Sequence, residues 1–427
     1  MRYMFSISTL FVSFKGLLLY YGFNKSESLF SVTNLWILMP AFVLMVCLSR
    51  LVFHPRKLSG LQVAILGWLT TLLLHMCWNF GQFGAALGIL SILPWGVFIA
   101  LGLWGTMEKS FRMDVFGVTL IQIVAFGHGA FVIYEFLTGD ILLRASNKVV
   151  NQDFFRYSGV SSSPVSTGLA LTCGIFASFW AWIHAQSKWA RGFAITTAST
   201  AVIGSIFCLG RLSLIAALLG LIFQARILLR RGLSLIFVLI AATVLCVFAG
   251  TEFFSVNGSI EYFLSAMNLN LGGNVERLLV YREQLTIITS SPSNLLIGSG
   301  SGSTGLLALN IFGDEETTES SLLRLLREFG IFGSTFFLLI IFFSLKSLII
   351  GLFDKKYNFS SVIWLSIFLT VCLQSLFAEM LDGWVNSYLF WACIAVAGQM
   401  DRERLDDVTL FLSESPTFPT QLSPPRC

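Results

Sequence analysis

Residues able to do chemistry fall into three short patterns in this chain. Arg156-Tyr157-Ser158-Gly159, followed by Ser163-Pro164, leads into an apolar segment, and Gly210-Arg211-Leu212-Ser213 forms a brief break between two others. The third pattern runs through the stretch from about Thr251 to Gly333, the one long polar interruption of an apolar sequence. It holds Arg277, Tyr281, Arg282, Pro292, Gly298, Gly300 and Gly302, then Glu319, Arg324, Arg327 and Glu328-Phe329-Gly330-Ile331-Phe332-Gly333. Guanidinium groups are planar forks that match phosphate oxygens better than an ammonium does. A Gly/Ser run lets backbone come close to a phosphate or sugar, and a carboxylate near a hydroxyl can take its proton.

Spacing sharpens these candidates. A helix over 274–289 places Arg277, Tyr281, Gln284 and Ile288 on one face and turns Arg282 about 140° away from Arg277. Arg277 is then the better ligand contact, and Arg282 the better partner for a nearby carboxylate or a lipid headgroup. Pro292 ends that helix. Glu319 stands just before the apolar helix Leu322–Phe329. It is either a base or a first-turn acid that favours the helix dipole, with Thr318 or Ser320 as the cap. The Asp314-Glu315-Glu316 cluster reads as a solvated acidic turn more readily than as a divalent-ion site. No metal and no cofactor is expected.

These patterns need a scaffold, and composition says which kind. The 427 residues are 56% hydrophobic and only 12% charged, which excludes an ordinary soluble domain and a nucleic-acid binder. Apolar windows recur at 4–22, 30–48, 60–78, 86–105, 114–138, 164–185, 192–209, 212–229, 233–250, 330–350, 361–378 and 384–399. The chain therefore reads as an all-α polytopic membrane protein of about twelve spans. The first window is expected to be retained rather than cleaved. Segments holding Arg50/Arg56/Lys57, Lys109/Arg112, Lys188/Arg191, Arg226/Arg230/Arg231, Lys355/Lys356 and Arg402/Arg404 alternate with the spans, which puts both termini in the cytoplasm and the large 251–329 loop outside. The expected divisions are spans and short loops over 1–250, the polar loop over 251–329, further spans over 330–399, and a charged, then Ser/Pro-rich, disordered tail over 400–427. The eight cysteines show no pairing or zinc spacing. His75 and His128 are set aside as interhelical hydrogen-bond partners.

Arg144, Lys148, Arg156, Arg211, Arg277, Arg282, Arg324 and Arg327 would then lie on the side where basic charge is disfavoured. They point to an anionic ligand at the membrane surface, or else to lipid headgroups. With that topology the three patterns together resemble the O-antigen polymerase and ligase superfamily of the bacterial envelope. The likeness is best from about Arg156 to Gly333. In the ligases a His-Asn pair precedes an apolar run ending in Glu-x-Gly-x-x-Gly; here Glu319 and Ser320 stand at those two positions. Tyr281 stands where the family often has Trp. The departure at the histidine position turns the likeness towards a polymerase.

The resemblance implies a GT-C-like glycosyltransferase of the inner membrane, with undecaprenyl-diphosphate-linked oligosaccharide as its substrate. It implies catalytic roles for Glu319, Arg277 and Arg211, and substrate-binding roles for Arg156, Tyr281, Arg282, Arg324 and Arg327. Membrane lipids, a chain-length regulator and a flippase are the implied partners. The alternatives are an O-antigen ligase and a twelve-span transporter. A transporter should show matching halves, and the first half has no counterpart of the polar loop.

Overall fold

The computed structural model describes residues 38–53, 58–83, 85–108, 112–139, 159–161, 164–208, 272–304, 320–378 and 384–414, with short pieces between 213 and 224. Among the described residues every regular element is helical. In chain order these are α1 (Leu38–Phe53), α2 (Gly60–Phe83), α3 (Ala85–Gly96), α4 (Ile99–Gly105), α5 (Met113–Thr138), α6 (Pro164–His184), α7 (Lys188–Phe207), α8 (Gly272–Thr289), α9 (Pro292–Leu296), α10 (Ser321–Phe353), α11 (Asn358–Phe377) and α12 (Trp384–Glu414). Five of them carry segments long and apolar enough to cross a membrane: Gly60–Asn79, Met113–Thr138, Val165–His184, Ser321–Phe353 and Asn358–Phe377. The protein is thus an α-helical membrane protein in type. The expected spans at 4–22 and 233–250, and most of 212–229, lie outside the described residues.

Two expectations change in detail. The window at 86–105 is two helices, α3 and α4, separated by a turn at Val97–Phe98, next to Pro94 and Gly96, both poor residues for a helix interior. The charged segment after Gly398, expected to be disordered, continues α12 to Glu414. It is held there by contacts: Arg402 donates to the Thr106 and Met107 carbonyls at 3.2 and 3.0 Å, and Arg404 to the Ser347 carbonyl at 3.1 Å. Residues 415–427 lie outside the described set. A break in α10 falls at an expected boundary, between the helix expected over Leu322–Phe329 and the span expected at 330–350. Its Gly330 has φ 61° and ψ −170°, so a short arm, 321–329, precedes the long membrane helix.

The core is an aromatic cluster shared by α2, α3, α10 and α12. Trp68, Trp95, Phe329, Phe337 and Phe390 are all buried. Phe329 sits edge-on to Trp68 with ring centroids 4.8 Å apart, and Phe337 stacks on Phe390 at 5.1 Å. Small residues bring other helices close: Gly105 of α4 lies directly against the backbone of Ala395 in α12. The bundle has two polar ends. Arg112, Asp114, Ser360, Lys356 and Glu403 meet at one, through the Arg112–Asp114 and Lys356–Glu403 ion pairs and the Ser360–Asp114 hydrogen bond. The other end carries α8, α9 and the short arm of α10.

Candidate functional site

The short arm of α10 is built by its sequence from both sides. Ser320 caps it, its Oγ accepting from the Leu323 N–H at 3.5 Å. Ser321 then ties the start to α11, its N–H and hydroxyl both donating to the Ala378 carbonyl, at 3.2 and 3.1 Å. No acid lies in the first turn. Glu319 immediately precedes the cap residue, so it stands one position outside the first turn and still next to the helix N-terminus in sequence. Its own position lies outside the described residues.

At the other end of the arm, Gly330 adopts a backbone conformation open in practice only to glycine. The break removes the next-turn N–H groups from the carbonyls of Arg327 and Glu328. The Gly/Ser run replaces them: Ser299 N–H donates to the Arg327 carbonyl at 2.7 Å and Gly300 N–H to that of Glu328 at 3.1 Å. Gly298, Gly300 and Gly302 all have positive φ, at 90°, 100° and 80°. The run is therefore a defined turn that closes a helix end. A side chain at Gly298 would strike the Glu328 carbonyl. The turn is also pinned to the bundle. Asn79 Nδ2 donates to the Ser301 carbonyl at 2.8 Å and to its Oγ at 3.0 Å, and Ser91 Oγ lies 3.0 Å from the same hydroxyl.

Glu328 is the centre of this assembly. Its carboxylate is fully buried and accepts three hydrogen bonds: from Arg324 Nε at 3.0 Å, Thr304 Oγ1 at 2.8 Å and Trp95 Nε1 at 2.9 Å. The Arg324 guanidinium also lies 5.9 Å from the centre of the Trp95 ring. A buried carboxylate is tolerated only when paired and hydrogen-bonded, and here both conditions are met. Arg327, also buried, donates to Gln284 Oε1 and so fastens α8 to the arm.

Helix α8 matches the helix expected over 274–289, and its faces match as well. Gln284 and Ile288 are buried, Tyr281 is half-buried, and Arg282 is exposed on the far side. Arg277 shares the inner face but is exposed. Ser291 caps α9, accepting from the Asn294 N–H at 3.1 Å, with Pro292 at the first helical position, so the proline both stops α8 and starts α9. Arg324 and Arg327, expected to bind substrate, are buried and engaged by Glu328 and Gln284. Arg277 and Arg282 are exposed residues.

Arg156, Arg211 and Glu319 lie outside the described residues, but their neighbours gather at the same end of the bundle. Gly159 N–H donates to the buried Glu135 at 2.9 Å. The carbonyl of Ser213 accepts from Thr172 at 3.1 Å and its Oγ accepts from Gln374 at 3.0 Å. Gln374 is one turn before Ala378, the residue that receives Ser321. Sequence reasoning placed Glu328 in the third pattern without a site role, and missed Trp95, Thr304 and Asn79 altogether. The four-residue spacing of Arg324 and Glu328 is the one local signal for the assembly. Among the described residues no group of three or more His, Cys, Asp or Glu is placed to hold a metal ion. No family model matches the chain, and a search of curated proteins found no relative.

Proposed function

We propose that this chain is an inner-membrane glycosyltransferase that joins undecaprenyl-diphosphate-linked oligosaccharide repeat units into O-antigen or a related surface polysaccharide. In this reading it crosses the membrane about twelve times, keeps both termini in the cytoplasm and works at the periplasmic face through residues 251–329. The observation that carries the reading is the join between α8 and the short arm of α10. The Arg327–Gln284 bond fixes the helix bearing Arg277 and Tyr281 beside a capped helix start immediately preceded by Glu319. Arg277 and Tyr281 then share one unit with the arm at the end of an apolar bundle, and in this reading Glu319, next in sequence to its cap, acts with them.

The chemistry follows from the substrate. A sugar hydroxyl on one lipid-linked unit attacks the anomeric carbon of the other. The bond from that carbon to the diphosphate oxygen breaks, its electron pair leaving with undecaprenyl diphosphate. Glu319 takes the hydroxyl proton. Arg277, Arg211 and Arg156 meet the charge that grows on the departing diphosphate. Tyr281, one turn beyond Arg277, offers its ring and hydroxyl to a sugar. Arg324 and Arg327 act at one remove, holding the arm and α8 in register. A deletion strain tests this. Core capped by a single repeat unit of glycan is the expected phenotype, uncapped core would assign the chain to ligase chemistry, and unchanged polymer would remove both.

A further inference from the structure

Helix α8 carries a second feature that the transferase reading does not use. Leu278, Leu279 and Leu285 are 53%, 58% and 48% exposed, and together with the exposed Arg282 they occupy an arc of about 120°, taking about 100° per residue, which the exposed Val275, Thr286 and Thr289 share. That arc faces away from Gln284 and Ile288, the residues that α8 buries. Four large apolar or cationic side chains on one open face of an extramembrane helix need a cover. Leu296 and Ile297 of the adjoining α9 extend the surface and are likewise exposed.

The neighbouring chain indicates what that cover is. The carbonyl group of Leu296 lies against Gly330, so close that a side chain on Gly330 would strike it. Directly after the break at Gly330 comes the long apolar part of α10, which is of a length and composition to cross a membrane and has Phe332 61% exposed. The apolar surface of α8 and α9 is therefore continuous with one that must stand in lipid, at the level where the span begins. A long side chain with a guanidinium tip among leucines suits that level. Its stem lies along apolar surface while the tip reaches a phosphate.

We infer that α8 and α9 rest on the bilayer surface next to the start of the α10 span, with Leu278, Leu279, Leu285 and Ile297 among the upper acyl chains and Arg282 on a phospholipid phosphate. The occupant of this face is the membrane itself. α8 thereby fixes the height of Arg277 and Tyr281 above the lipid. The inference does not depend on what reaction, if any, the chain catalyses.

A photoreactive benzophenone amino acid placed at Leu278, Leu285 and Ile297, one at a time in the full chain in native membranes, tests it. The positions are exposed, so folding is not at stake. Glu283, exposed but outside the apolar arc, is the reference position. Mass analysis after illumination should show phospholipid adducts at the three positions, several-fold above those at Glu283. Cross-links to protein at Leu278 and Leu285, whether to another chain or to this one, would overturn the inference. So would adduct levels no higher than at Glu283.

Discussion

Arg324 Nε lies 3.0 Å from Glu328 Oε1, one helical turn further on, and both side chains are shielded from solvent. Removing either partner leaves the other charge buried, at a cost of about 3–5 kcal/mol. Arg324→Ala and Glu328→Ala should each markedly lower the melting temperature of the purified protein in detergent. The double variant should lose much less than the sum, because the charges then go together. Glu328→Ala should be the worse single change, since Thr304 and Trp95 also lose their acceptor. Strictly additive losses would mean that the pair contributes nothing as a pair.

The helix break makes a second prediction, with an internal control. Gly330→Ala forces a side chain into the Leu296 carbonyl and into a backbone region that costs of order 1–3 kcal/mol even without a clash. Gly192→Ala, inside α7 with nothing within 4 Å, should instead stabilise by about 0.5–1 kcal/mol. Thermal unfolding of the two variants side by side should show shifts of opposite sign.

The two exposed arginines of α8 should separate by function. Arg277→Lys keeps a charge but not a bidentate fork, and should abolish most long polymer. Arg282→Lys, on the lipid-facing arc, should leave the polymer length distribution close to normal. Gel profiles of surface polysaccharide at matched protein level give the comparison. Greater sensitivity at Arg282 would mean that the ligand meets the other face of α8.

Orientation is tested by reporters. A fusion after Gly305 should report the periplasm and one after Lys356 the cytoplasm. A cytoplasmic signal at 305 would remove the lipid-linked donor from reach of the Arg277 face.

What could be read in the sequence was local. The inner face of α8 follows from its own spacing, and Pro292 marks its end wherever the helix packs. The Gly/Ser run at 298–302 was open between a flexible loop and a tight turn, because its role depends on carbonyls released thirty residues later at Gly330. Trp95 and Asn79 gave no signal at all. Trp95 sits in an apolar window and Asn79 just past the end of one, and the polar partner of each, Glu328 or Ser301, lies more than two hundred residues away. The boundary at Gly330 is legible, between the helix expected over 322–329 and the span expected from 330, but its backbone conformation is not, because only the approach of Leu296 and Gly298 requires it.

The most direct test uses the purified chain in liposomes, supplied with lipid-diphosphate-linked repeat units. The native protein should give a ladder of longer glycans, each added unit releasing one undecaprenyl diphosphate. Glu319→Gln, which keeps the size of the side chain but removes its proton acceptor, should slow both by about 10²–10⁴. Release of lipid diphosphate and glycan growth falling together in that variant is the predicted result. A native protein that forms no longer glycan and releases no lipid diphosphate would contradict it.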